Sequence, residues 1–134
     1  MSPAAASTKL VLLVDDDETL LDLMTHLLKS EGFRTERAVD GVEALRKVEA
    51  LKPDAILLDF MLPELGGLEA ARELNKRGLG HIPIVAITGR PIDDESKAAV
   101  KAEGNIKEFL QKPVKTADVA ALLHRLLGTE PAAE

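Results

Sequence analysis

Three aspartates, one threonine and one lysine stand where short apolar runs end. Asp15 and Asp16 follow "KLVLLV" (9–14), and Asp59 lies near the close of "DAILLDF" (54–60). Thr88 closes "IPIVAIT" (82–88), and Lys112 closes "IKEFLQK" (106–112) ahead of Pro113. Three carboxylates held together cannot all stay ionised without a counter-charge. A hard divalent cation such as Mg²⁺ supplies one, since it takes oxygen ligands and usually joins one or two carboxylates to a phosphate. Lys112 adds a second positive charge, Thr88 a hydroxyl donor, and Gly89 lets the backbone come close to a ligand. Such a set can stabilise the charge on a transferring phosphoryl group. A carboxylate can itself be the nucleophile, giving an aspartyl-phosphate. Each residue alone has an ordinary explanation: an Asp after a strand caps or turns the chain, and a Lys is solvated. The order of all five carries the reading.

The elements that must position them follow from periodicity. "KLVLLV" is unalternating, as in a strand covered on both faces. From Thr19 to Ser30, Leu20, Leu21, Met24, Leu27 and Leu28 form one helical stripe, and Gly32 supplies a cap. "FRTERAV" (33–39) is a weaker strand, and Asp40-Gly41 turns the chain. Val42, Leu45 and Val48 mark a helix closed by Pro53. "DAILLDF" is the third strand, "LPELGG" a loop, and Leu68, Ala71 and Leu74 mark a helix ended by Gly78. "IPIVAIT" is a β-branched strand, and 96–103 a short polar helix before Gly104. A fifth strand lies in "IKEFLQK"; Val119, Leu122, Leu123, Leu126 and Leu127 stripe the last helix, ended by Gly128. Five strands alternating with five helices imply right-handed crossovers and a mostly parallel α/β sheet. Ligands bind such sheets beyond the carboxyl ends of the strands.

The chain has 134 residues, the size of one domain. The reading is a loose leader over 1–8, one domain over 9–128 and a loose tail over 129–134. Without cysteine there are no disulfides, thiolate metal sites or cysteine nucleophiles. The formal net charge of −6, with no Trp, no Tyr and three Phe, argues against direct nucleic-acid binding. No apolar run reaches membrane-spanning length and no signal-peptide core is seen, so the cytoplasm is the expected location. His26, His81 and His124 lack ligand spacing and read as surface residues.

Together "VDDD", "LLDFMLPELGG", "IPIVAITG" and "FLQKP" give the chain a pattern that resembles the receiver domain of two-component response regulators, as in the single-domain chemotaxis regulator. Pro63 and Gly67 stand four and eight residues after Asp59. The resemblance implies a flavodoxin-like, doubly wound five-stranded parallel sheet in the order 2-1-3-4-5, with five helices. It implies that Asp59 accepts phosphate from a phosphohistidine on a histidine kinase or phosphotransfer protein. Asp16, Asp59 and the backbone carbonyl of Met61 would hold Mg²⁺, with Asp15 acting through a metal-bound water. Thr88 and Lys112 would bind phosphate oxygens, and Phe109 would be the switch aromatic; its plain reading is a core side chain. Partners would be the phosphodonor and a downstream target protein or output domain. They would meet the face of the fourth helix, fifth strand and last helix, where two copies could also pair.

Three departures stand out. Gly104 to Lys112 is one residue longer than the "GAxxYLxKP" spacing, so the loop before the fifth strand should bulge; Gly89 and Val114 replace a commoner Ala and Phe. Two positions that tune phosphate lifetime in the family are Met61 and Arg90, neither able to orient an attacking water, so autodephosphorylation should be slow. An independent enzyme is disfavoured. Haloacid-dehalogenase-type phosphatases need an acid where Met61 stands, and no P-loop or GxGxxG is present. Two other readings are an interaction module that is never phosphorylated and the N-terminal piece of a larger regulator.

Overall fold

The structure, a computed structural model, describes residues 5–62 and 65–130. Alternation of strand and helix runs through the chain: β1 (Leu10–Val14), α1 (Glu18–Ser30), β2 (Arg34–Ala38), α2 (Gly41–Leu51), β3 (Ala55–Asp59), α3 (Gly67–Lys76), β4 (Ile84–Thr88), α4 (Asp94–Glu103), β5 (Ile106–Gln111) and α5 (Thr116–Leu127). The strands form one parallel sheet in the order β2-β1-β3-β4-β5.

The pleat of the sheet divides the core. Leu12, Val14, Ile56, Leu58, Ile84 and Ala86 point to one side, where they meet α2, α3 and α4. Val11, Leu13, Leu57, Val85 and Ile87 point to the other, against Leu21, Met24 and Leu28 of α1 and Val119, Leu122 and Leu123 of α5. Successive strand residues face opposite sides, so a strand covered on both sides must be apolar throughout, as β1, β3 and β4 are. β2, at one edge, buries fully only Ala38 of its five residues. Val42 departs from its expected stripe: it is 59% exposed, and Ala44 takes the inward place beside Leu45 and Val48.

Caps set the helix bounds. The side chains of Asp17, Asp40 and Asp93 accept backbone N–H groups at the starts of α1, α2 and α4, the role short acceptors fill there. Gly32, Gly104 and Gly128 take positive φ after α1, α4 and α5. Lys52 does so before Pro53, which disfavours a further helical residue.

The extra residue before Lys112 is absorbed inside β5 and not, as expected, in the loop before it. Ile84 pairs with Ile106 but Val85 pairs with Glu108, so Lys107 bulges out of the ladder. Phe109, Leu110 and Gln111 then pair with Ala86, Ile87 and Thr88 in unbroken register. The bulge therefore leaves Lys112 beside the end of β4, where its N–H donates to the Thr88 carbonyl at 2.8 Å.

Parts of both expected loose segments are ordered. Ala6–Thr8 forms a 3-10 turn, and Ala6 is buried against Gly32, where an added Cβ would lie 3.3 Å from Ala6 Cβ. Thr129 is buried as well. Residues 1–4 and 131–134 lie outside the described residues. His124 is a correction: only 5% exposed, it is not a surface residue as His26 and His81 are. Its Nδ1 lies 2.6 Å from Thr129 Oγ1 and its Nε2 2.8 Å from Glu31 Oε1. Its ring packs on Phe33 with centroids 4.8 Å apart. These partners satisfy both ring nitrogens, which lets an imidazole be buried.

Candidate functional site

β1 leads directly into Asp15, whose N–H continues the ladder to the Ala38 carbonyl. The residue is 5% exposed, and its side-chain Oδ1 accepts the Asp17 N–H at 2.9 Å. Asp16, next along, is exposed. Asp59 is the last residue of β3 and 7% exposed, with Oδ1 accepting the Met61 N–H at 3.0 Å. β3 lies between β1 and β4, so Asp59 sits at the centre of the carboxyl edge. Oxygens of Asp15, Asp16 and Asp59 lie within 4.8 Å of one another. Asp17 and Glu18 are outside this group, at the start of α1.

Lys112 reaches across from the end of β5. Its Nζ is 3.6 Å from Asp15 Oδ2 and 3.6 Å from Asp59 Oδ2. One ammonium against three carboxylates leaves an excess of negative charge. Burial therefore pushes Asp15 up to about 6, and the nearby Asp59 charge adds to it; the Asp17 amide and Lys112 pull the other way. All the converging donors are hard oxygens. Donor type and uncompensated charge both fit a hard divalent cation such as Mg²⁺.

Thr88 ends β4 and is 4% exposed. Its hydroxyl donates to the Arg90 carbonyl at 2.9 Å and accepts the Arg90 N–H at 3.2 Å, so it is turned into the loop that follows. Thr88, Phe60, Met61 and Arg90 line one cleft beside Asp59. Phe109 is half-buried and meets Phe60 edge-to-face, with centroids 5.3 Å apart and planes at 73°. It thus touches the residue that follows Asp59.

The five residues singled out in the sequence do come to one edge of the sheet. Three supporting residues were not singled out for any role there: Phe60, Gly41 and Leu65. A Cβ on Gly41 would lie 2.6 Å from Leu65 Cβ and 2.7 Å from its carbonyl oxygen, so the loop after β3 rests directly on the start of α2. A Cβ on Gly67 would lie 2.5 Å from the Phe60 ring. The signal was the pair of glycines, Gly41 and Gly67, at helix starts where a cap alone would not need them. Pro63 lies outside the described residues.

A doubly wound α/β sheet of order 2-1-3-4-5 with an acidic cleft at its carboxyl edge is the flavodoxin-like class. Residues 11–124 match the model of the response regulator receiver domain, and the chain belongs to that family, the receiver domains of two-component signalling. The alkaline phosphatase synthesis transcriptional regulatory protein PhoP of Bacillus subtilis is 35% identical over 119 residues, covering 89% of this chain and 48% of that protein. DNA-binding response regulator MtrA of Mycobacterium tuberculosis is 36% identical over 111 residues, 83% of this chain and 47% of that protein. The chain thus spans about half the length of these relatives. Among solved structures, the CheY-like receiver domain protein from Methanospirillum hungatei superposes with a TM-score of 0.81 at 28% identity, over 89% of this chain and 93% of that one. The receiver domain of sensor histidine kinase PA1611 from Pseudomonas aeruginosa does so with a TM-score of 0.79 at 31% identity, over 94% of this chain and all of that one; it is described with a magnesium ion coordinated in its active-site cleft. No helix among the described residues is long and apolar enough to cross a membrane.

Proposed function

We propose that this receiver domain is a Mg²⁺-dependent phosphoacceptor, phosphorylated on Asp59 by a phosphohistidine of a histidine kinase or phosphotransfer protein. The observation that carries the reading is the convergence of Asp15, Asp16 and Asp59, with Lys112 spanning Asp15 and Asp59. A carboxylate oxygen of Asp59 attacks phosphorus, the P–N bond breaks, and the imidazole leaves with the bonding electrons. Asp16, Asp59 and the Met61 carbonyl would hold the ion, with Asp15 acting through water. Bound Mg²⁺ supplies positive charge opposite the phosphoryl oxygens. Lys112 would bind one of those oxygens as its contact with Asp59 is given up. Thr88 would give up Arg90 and donate to another. The loop from Arg90 would then shift, and Phe109 would turn towards the space vacated, changing the α4–β5–α5 face.

The target of that face is an output domain or a separate protein. PhoP and MtrA, named for transcriptional regulation and DNA binding, are about twice the length matched here, which favours an output domain for regulators of this kind. The domain itself is a signalling module rather than an enzyme that turns over a substrate.

Intact mass after incubation with Mg²⁺ and acetyl phosphate tests the proposal. A gain of one phosphoryl group, absent without Mg²⁺ and absent in Asp59→Asn, supports it. No gain, from acetyl phosphate or from a phosphorylated histidine protein, overturns it in favour of an interaction module that is never phosphorylated.

A further inference from the structure

A cleft of about 190 Å³ lies beside Asp59, with Met61, Thr88, Arg90 and Asp93 among its walls. Two of its side-chain oxygens are engaged elsewhere: the Thr88 hydroxyl is bound to the Arg90 backbone, and Asp93 Oδ1 accepts the Ser96 N–H at 2.7 Å. Met61 is tied to the site by its own N–H, which donates to Asp59 Oδ1 at 3.0 Å. Its residue is 56% exposed, and an apolar side chain so open to water adds little to the core. The chain has three methionines and no cysteine. Met24 is 3% exposed inside the core, and Met1 lies outside the described residues. Among the described residues Met61 therefore carries the one sulfur open to solvent, and no thiol competes with it for an oxidant.

We propose that Met61 is an oxidative modification site, where a peroxide converts the thioether to the sulfoxide and the sulfoxide shortens the life of the phosphoryl group on Asp59. This deepens the proposed function and rests on it for the phosphoryl group. In the first step one peroxide oxygen bonds to sulfur and the O–O bond breaks. Sulfur loses two electrons, the peroxide gains them, and water or an alcohol leaves. The conversion costs little packing at an exposed position, whereas at Met24 it would put a polar group in the core. The consequence follows from the change in the side chain. A thioether sulfur is a weak acceptor and does not hold a water in place. A sulfoxide oxygen is a strong acceptor, carried by a residue whose backbone is bonded to the Asp59 carboxylate. Water that hydrolyses the acyl phosphate bonds to phosphorus in line with the Asp59 oxygen. The O–P bond breaks, its electrons return to the carboxylate, inorganic phosphate leaves and the spare proton passes to solvent. The sulfoxide oxygen accepts a hydrogen bond from that water and orients it. Because the sulfoxide is neutral, it adds this acceptor without adding charge to a cleft already rich in carboxylates.

The test treats the full chain with hydrogen peroxide, removes the oxidant, and locates added oxygen by peptide mass. Treated and untreated samples are then phosphorylated with acetyl phosphate and Mg²⁺, and loss of the phosphoryl mass is followed. Met61 is expected to gain one oxygen well before Met24, and the phosphoryl lifetime should fall roughly three- to tenfold, the worth of one net hydrogen bond. Methionine sulfoxide reductases, one for each epimer, should restore the original lifetime. Met61→Leu, compared with its own untreated sample, should lose the response to peroxide. Met61→Gln, with an amide oxygen in place of the sulfoxide, should show the shorter lifetime without any oxidant. Oxygen on Met24 or Met1 ahead of Met61 overturns the proposal, and so does a peroxide response that persists in Met61→Leu. A chain oxidised at Met61 that keeps its phosphate as long as before overturns the proposal and spares the phosphoacceptor reading. An untreated chain that gains no phosphate overturns that reading, and the coupling to Met61 with it.

Discussion

Asp15 holds its negative charge at the expense of the fold. Its carboxyl is raised from 3.8 to about 6, first of all by burial. The folded state therefore binds the proton more tightly than the unfolded one, and stability falls as pH rises through that interval. Asp15→Asn removes the charge and keeps the shape. Without divalent cation it should raise the melting temperature at about pH 8, and the gain should vanish as pH falls towards about 4. A gain of equal size at both pH values would contradict the account. With Mg²⁺ the order should invert, because a ligand of the folded state stabilises only the chain that binds it. Phosphate lifetime also belongs to single residues. Met61 is 56% exposed and Arg90 exposed, both lining the cleft beside Thr88, and neither can accept a proton from water. The phosphorylated chain should decay over minutes to hours, and Met61→Glu should shorten the lifetime roughly tenfold or more, read by loss of the phosphoryl mass. The meeting of Asp15, Asp16, Asp59, Thr88 and Lys112 at one edge of the sheet was legible in the sequence because each ends or follows an apolar run that forms a strand. His124 was not legible, because its burial depends on Glu31, whose Oε1 bonds it from 93 positions away.

At the scale of elements, ten were legible because strand and helix differ in period, and Gly32, Gly104 and Gly128 marked several helix ends. The extra residue before Lys112 was legible as a count, but not its place, since spacing does not say which ladder bond gives way. The junction between α3 and α4 was not legible either. Asn75 Nδ2 donates to the Glu103 carbonyl at 3.1 Å and to its Oε2 at 2.9 Å, while Arg72 Nε meets Oε1 at 3.1 Å. Asn105 Nδ2 reaches the Ala71 carbonyl at 3.0 Å. Gly80 makes room for Asn75: a Cβ there would fall 1.9 Å from Asn75 Oδ1. Gly80→Ala should turn Asn75 aside and cost about 1–3 kcal/mol in denaturant unfolding. Asn75→Ala should cost a similar amount, and the two together less than their sum; full additivity would mean that the glycine serves some other purpose. The carboxyl end of α4 is thus tied to α3, while its amino end carries the cap at Asp93 and borders the cleft lined by Thr88 and Arg90.

Across the whole molecule, α1, α5 and the turn at Ala6–Thr8 share one core and a polar clasp. His124 holds Thr129 and Glu31 and stacks on Phe33, and Ala6 lies on Gly32. His124→Ala should lower stability by about 2–4 kcal/mol, through lost packing and two stranded partners, with amide exchange at the end of α5 rising most. An unchanged unfolding midpoint would show the clasp to be incidental. The same cluster has an architectural consequence. Ala6 and Thr129, close to the two ends of the described residues, are gathered at the turn before β2, the side of the sheet opposite Asp15, Asp59 and Lys112. The domain can therefore be spliced between other sequences as a bead whose two ports open away from its chemistry, and joining those ports by a short linker while reopening the chain at a distant loop should leave the acidic cleft undisturbed.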